Sequence, residues 1–409
     1  MADLLHIEEA SAKSSPLKAS LQDFLELGFR PLYLCGATWA VVAVALWVFA
    51  PQWLQGSLSG VFWHAHEMLW GFVGAVAVGF LLTATTNWTG KNPLQGKALG
   101  GLALVWCIAR IGFLFPGDIA FAIACAADLA FFAGAAFALA RCLWAHQSKY
   151  NYAFPALLLG MGLANAAFLY AIWEQRDYAT LMQRLFTGLL CMLVIALLLA
   201  RRVIPFFAGR AVPGLKLDKH TRSGQWQSAL TVLAIACIPL QFNNTAAALF
   251  ITAGLLTLWH WVAWKPWAVR TTPLLWILYL GYLGMGLGLI ATAAYTTGWT
   301  TRLSWPVHTI AMAGFGALIL GMMTRTALGH TGRALSVDGY MLLSFYLLCI
   351  AIVLRIAALS ASTSNVAWLH ASAACWMLAF AVYLVRFIPI LTQPRADKRP
   401  GKPISLQRT

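Results

Sequence analysis

The stretch WHAHEMLWGF, residues 63–72, opens a run that stays apolar to Ala84. About twenty apolar residues is what a helix needs to cross a bilayer, so the run reads as a membrane span. Its first turn carries two imidazoles, a carboxylate and a thioether. Ionisable groups at membrane depth are expensive and imply a function with a named partner. On an α-helix His64, Glu67 and Met68 stand at i, i+3 and i+4 and share a face, whereas His66 is rotated by roughly 200°. Two different partners are therefore expected.

Outward from this stretch the chain has the same character. Of its 409 residues 61% are hydrophobic and 10% charged, more apolar surface than a soluble core can use. The fold class is an all-α polytopic membrane protein. The net charge of +15 does not indicate nucleic acid, because the basic residues are spread between apolar runs instead of clustering on one folded face. The eight cysteines lie in or at the ends of apolar segments with no C-x-x-C, and read as packing residues. Without a C-x-x-C-H, any haem would be held without thioether bonds. Residues 1–30 contain no continuous apolar run, so no cleavable signal peptide is expected.

Residues 1–30 read as a cytoplasmic tail ending in an interfacial amphipathic helix, Leu21–Arg30. A transmembrane domain over 31–390 and a basic cytoplasmic tail over 391–409 follow. Twelve apolar runs are expected as spans, starting near residues 31, 63, 98, 119, 153, 181, 226, 246, 273, 305, 339 and 366, the third and seventh being short. All but five of the 28 Lys and Arg residues fall in the tails or the even-numbered loops. The exceptions are Arg110, Arg176, Arg184, Arg302 and Arg355. The positive-inside rule then places both termini in the cytoplasm.

That topology puts His64, His66, His308 and His370 at one depth on the outer side. Imidazoles from several helices at one level can bind haem or another metal inside a bundle. His66 opposite His308 or His370 would suit a flat haem, while His64 with Glu67 and Met68 would suit copper. Arg110 and Arg355 lie near the same level. A buried guanidinium wants a carboxylate or carbonyls, supplied by haem propionates or by Glu67, Asp128 and helix ends. Asp128 is the deepest acid, a proton relay or an ion-pair partner. The glycine-rich GYLGMGLGLI (281–290) sits mid-span and reads as close helix packing. On the inner side Asn87–Gly90, RRVIPFFAGR (201–210) and MMTRTALGHTGR (322–333) read as helix caps and headgroup anchors, or as a second polar site with His330 and His260.

FRP (29–31), WHAHEML…GF (63–72), GFLLTATTNWTG (79–90), RRVIPFF (201–207), PLLWIL…GY (273–282), MMTRTALGHTGR (322–333) and RFIPILTQPRADKRPG (386–401) together resemble the NnrS family. The resemblance implies a bacterial inner-membrane protein with haem and copper, tied to nitric oxide and denitrification. It carries His64 and His66 as motif residues and expected cofactor ligands, with His308 and His370 as further ones. It also departs from the family pattern at Tyr279, where a histidine is expected in the L-x-L-G-Y stretch.

Three functions compete. One is a haem–copper protein that binds nitric oxide and turns it over to N2O, with Glu67 as the candidate proton donor and a membrane quinol as electron donor. Another is a transporter or handling protein for copper, haem or a metal-nitrosyl species. Against it stand the scarcity of polar breaks, Asn165 and Asp128 alone, and the lack of a repeat of the first half in the second. The last is a sink or sensor that only binds the gas.

Overall fold

The structure, a computed structural model, describes residues 19–359 and 365–398. In an apolar medium a chain must satisfy its backbone groups internally, which a run of Leu, Ala, Val and Phe does as a helix. Long helices form at each of the expected spans: α1 Phe29–Phe49, α2 Gly60–Thr89, α3 Gly96–Gly112, α4 Asp118–Ala145, α5 Ala153–Trp173, α6 Tyr178–Ala211, α7 Thr221–Cys237, α8 Asn243–Ala263, α9 Pro273–Thr296, α10 Ser304–His330, α11 Gly339–Ala358 and α12 Asn365–Thr392. Among the described residues there is no strand. Ten helices among the described residues are long and apolar enough to cross a membrane. The short third and seventh, α3 and α7, have 17 residues each and stand at the lower limit for a crossing.

Sequence neighbours pack as spatial neighbours, and α12 returns to lie against α1. Where one surface helix was expected over Leu21–Arg30, only Leu21–Phe24 is helical before α1 begins. The segment is tied down instead of floating at the interface. Ser20 N–H donates to Thr392 O at 2.9 Å and Gly96 N–H to Leu25 O at 2.8 Å. Arg30, fully buried, donates from Nη1 to the carbonyls of Leu391 at 3.3 Å and Gln393 at 2.7 Å. This guanidinium latches the start of α1 to the end of α12. The remaining tail residues, 1–18 and 399–409, lie outside the described residues.

Two helices depart from α geometry at matching places. In α2 the segment Glu67–Val73 and in α10 the segment Thr309–Gly316 wind as π-helix, a widened turn that is frequent at functional sites. Each follows a W-x-x-H sequence. Trp63, His66, Gly74, Ala75, Gly79, Thr89 and Gly90 recur in order and spacing as Trp305, His308, Gly316, Ala317, Gly321, Thr331 and Gly332. The repeat escapes a search for matching halves because it joins the second helix to the tenth.

Gly281, Gly284 and Gly288 of α9 face α10, while Gly286 packs on Thr257 and Leu258 of α8, the close helix packing expected of GYLGMGLGLI. A methyl on Gly281 would come within 2.8 Å of Leu318 N, and one on Gly284 would strike the Ala313 backbone. This approach seats the widened turn of α10. Gly284→Val is expected to lower the apparent melting temperature of the detergent-solubilised protein by several degrees, since overpacking costs about 1–3 kcal/mol; unchanged thermal unfolding would contradict the contact.

At the start of α11 the Asp338 carboxylate accepts from Met341 N–H at 3.0 Å and from Arg386 Nε. Partial burial raises its pKa, but the Met341 and Arg386 hydrogen bonds outweigh this and hold it below the usual carboxylate range. Its contribution is therefore present above the unfolded value, about 3.9, and is lost as pH falls through the lower folded value. Asp338→Ala is expected to cost about 1 kcal/mol at pH 7, as loss of a cap does, and the gap to the unsubstituted protein should narrow as pH drops below 4.

Candidate functional site

His64 and His66, two residues apart, enter different environments. His66 is fully buried; its Nδ1 lies 2.8 Å from Glu67 Oε1 and its Nε2 3.0 Å from Asn165 Oδ1 and 3.3 Å from Asp128 Oδ2. Arg110 donates through Nη1 to both oxygens of Glu67 at 2.9 Å and through Nη2 to Asp128. Trp39 Nε1 adds a bond to Glu67 Oε2 at 2.7 Å, and Asn165 Nδ2 one to Asp128 Oδ2 at 2.7 Å. Two carboxylates thus face one guanidinium and one imidazole, all at most 1% exposed. Such a group is tolerated in an apolar bundle only because every charge has an opposite within hydrogen-bond reach.

This cluster corrects two expectations, for His66 and Glu67, and for Arg110 selects the carboxylates over the propionates. His66 does not face His308 or His370, and both its nitrogens point at accepting oxygens, leaving no lone pair to offer a metal. Glu67 does not stand beside His64, because the widened turn that begins at Glu67 carries its carboxylate towards Arg110. Arg110 meets the Glu67 and Asp128 carboxylates, so its guanidinium is not open to a propionate.

His64 instead lines a cavity of about 930 Å3 formed where alternate helix ends converge: the last turns of α1, α9 and α11 and the first turns of α2, α6, α10 and α12. Its volume falls in the range of cofactor sites, roughly 300–1,000 Å3. His64 and Met68 reach it from α2, His308 and Met312 from α10, and Arg302 and Arg355 from either side of α10 in the chain. Each imidazole is followed by a thioether four residues on, one helical turn away. Trp47 stacks on His64 at 5.3 Å with planes 15° apart. The buried Nδ1 of His64 has no hydrogen-bond partner.

His308 has a defined tautomer. Its Nδ1 lies 2.8 Å from Ser304 O, and a carbonyl only accepts, so Nδ1 carries the proton and Nε2 the lone pair. That lone pair takes a bond from Arg355 Nη2 at 2.9 Å. An Nδ1–H held by a backbone carbonyl is how proteins orient a metal-ligating histidine. No Asp or Glu among the described residues lines the cavity. Among the described residues no three His, Cys, Asp or Glu side chains converge as a metal cage. His370 is exposed, rests on Phe49 at 5.3 Å, and does not line the cavity.

At the opposite end of the bundle the polar stretches close helices. Gly90 ends α2 in a left-handed conformation, φ 71°, and Trp88 stacks on Phe154 at 5.2 Å. His260 bridges Ser223 at 2.8 Å and Tyr282 at 3.1 Å. Tyr279, where the resemblance expects histidine, donates to Trp264 O at 2.8 Å. Sequence reasoning missed Trp39, Arg302 and Met312. The first two stand alone in their segments; the repeated H-x-x-x-M spacing of His64–Met68 and His308–Met312 was the available signal for the third.

Removing one charge from the cluster should be costly and removing a pair less so. Arg110→Met is expected to lose about 3–5 kcal/mol, the usual cost of stranding a buried partner. The double change Arg110→Met with Glu67→Gln leaves Asp128 opposite His66 and should recover part of that loss. The folded fraction surviving a heat step, measured by size-exclusion chromatography, checks both; equal losses would contradict the pairing.

The family model described as NnrS protein matches residues 23–395. No curated protein matches the chain. Nearly the whole of the described structure therefore falls within one family match, and this multi-pass membrane protein belongs to the NnrS family.

Proposed function

We propose that this NnrS-family chain, a membrane protein of the nitric oxide response, holds haem in the cavity between α2 and α10 and binds nitric oxide there. The observation that carries the reading is the make-up of the wall: two imidazoles, three thioethers and two guanidinium groups in an otherwise largely apolar cavity of about 930 Å3 with no acid among the described residues. A bare divalent cation is repelled by such a wall. An apolar macrocycle with carboxylate ends is attracted to it, since guanidinium pairs strongly with carboxylate.

In this reading His308 offers Nε2 and His64 a second nitrogen, while Arg302 and Arg355 take the propionates. Binding would draw Arg355 off the His308 lone pair, freeing the ligand as the carboxylate arrives. Met68 and Met312 are soft thioethers through which the same cavity, once propionates neutralise its guanidinium groups, would take monovalent copper. When bound, haem supplies an iron centre able to bind a diatomic gas. The chain's own residues orient the imidazole and exclude water. Binding is better supported than turnover: reducing two NO to N2O needs two electrons and two protons, and no carboxylate lines the cavity to pass protons, Glu67 being held by Arg110. A membrane quinol is the donor class turnover would require. The distribution of Lys and Arg supports a bacterial inner-membrane setting with both termini cytoplasmic and the cavity on the outer side.

The test is an optical spectrum of protein purified from haem-replete cells, oxidised and dithionite-reduced, with and without NO. A Soret band that moves on adding NO is expected. His308→Ala and His64→Ala should each remove or shift it, Arg355→Ala should weaken haem retention about tenfold, as loss of an outer-sphere partner does, and His370→Ala should change nothing. Absence of any Soret band would overturn the reading.

A further inference from the structure

Beneath the cavity lies a second, smaller space. It is about 60 Å3, bounded by α1, α2, α6 and α10, and shares Val73 and Phe315 with the cavity above. From there it follows α10 to Met322 and α2 to Phe80, seven residues in each case and so roughly 10 Å along the bundle at 1.5 Å per residue. Its wall is hydrocarbon and thioether, with the Tyr33 phenol the one polar side chain. A buried water needs two to four polar partners; here it would find at most one. The space is therefore dry. Its volume is several times the 10–15 Å3 that a single water-sized guest requires, which is room for a diatomic molecule and too little for a haem, a quinol or a hydrated ion.

We infer that this annex is a binding and transit site for a small uncharged gas, through which the molecule reaches the cavity from within the apolar bundle. An uncharged diatomic loses almost nothing on leaving water, and a dry pocket lined by Val, Ile, Leu, Phe and Met offers it dispersion contacts that water does not. Half-buried Ala77, Phe80, Leu199 and Val203 form its far part, away from His64 and His308, while Val73 and Phe315 form the shared step between the two spaces. The inference rests on the haem reading only for what waits at the end of the path; the annex exists without it.

Xenon, an uncharged atom that occupies dry apolar cavities, is the probe. With methionine methyl groups labelled with carbon-13, xenon pressure should shift the resonances of Met192 and Met322, which line the annex, in a saturable manner. Ala196→Phe fills the annex and should abolish that response while Met68 and Met312 in the larger cavity keep theirs. In haem-loaded protein the same substitution should slow carbon monoxide recombination after photolysis several-fold with an unchanged Soret band. No saturable shift at Met192 and Met322 in the unsubstituted protein would overturn the site, a measurement that needs no variant to fold. An unchanged recombination rate with the annex filled would overturn the transit role. A missing Soret band would sink the haem reading and leave the xenon result to decide the site alone.

Discussion

The contact of Arg110 with Glu67 and Asp128 is the constraint on which much of the arrangement depends. Three helices, α2, α3 and α4, each place a charged residue at the same depth inside an apolar bundle, and α5 adds Asn165. None can move without stranding a charge where no water reaches it. The cluster therefore fixes the rotation of α2 about its axis, and with it the direction in which His64 and Met68 point. Gly71 is part of this arrangement: a methyl there would come within 2.6 Å of Arg110 Nη1, so the guanidinium lies directly against the α2 backbone.

From that fixed rotation follows the divergence of two histidines only two residues apart. His66 belongs to the cluster and is spent on structure; His64 belongs to the cavity. The widened turn beginning at Glu67 separates the two roles, and its counterpart in α10 begins one residue after His308. Position by position α10 repeats α2 with His308 in the place of His66, yet the environments are opposite. In α2 the motif histidine is surrounded by acids, and in α10 it is met by an arginine. One local sequence pattern thus serves both as an anchor and as a wall of the cavity, the outcome being set by the charge of what packs against it.

Charge also separates the two polar regions of the molecule. The cluster is balanced and closed, whereas the cavity has two guanidinium groups and no acid. Arg302 has the Leu359 carbonyl at 2.7 Å and Arg355 the His308 imidazole at 2.9 Å, so both charges are held by neutral partners and neither is neutralised by a carboxylate. The dry annex below it adds a region from which ions and water are excluded. Together they favour an occupant with an apolar body and anionic ends above, and an uncharged guest below.

Sequence by itself determined the class of molecule, because twelve apolar runs in an aqueous and lipid world can be satisfied only by helices. Placing helix ends then grouped His64, His66, His308 and His370 at one level with Arg110 and Arg355 near it, and the glycines of α9 were legible as a packing surface because nothing else explains small residues in mid-span. It could not decide which of His64 and His66 would reach the cavity, since α-periodicity assumes a constant turn and a π segment breaks it. Nor could it pair Arg110, for which propionate and carboxylate are equivalent on paper. His370 shares a depth with the cavity, yet only the rotation of α12 turns it outward. Depth is a one-dimensional property that a sequence carries; the direction in which a side chain points around a helix depends on what the neighbouring helices bring, and that is decided in three dimensions.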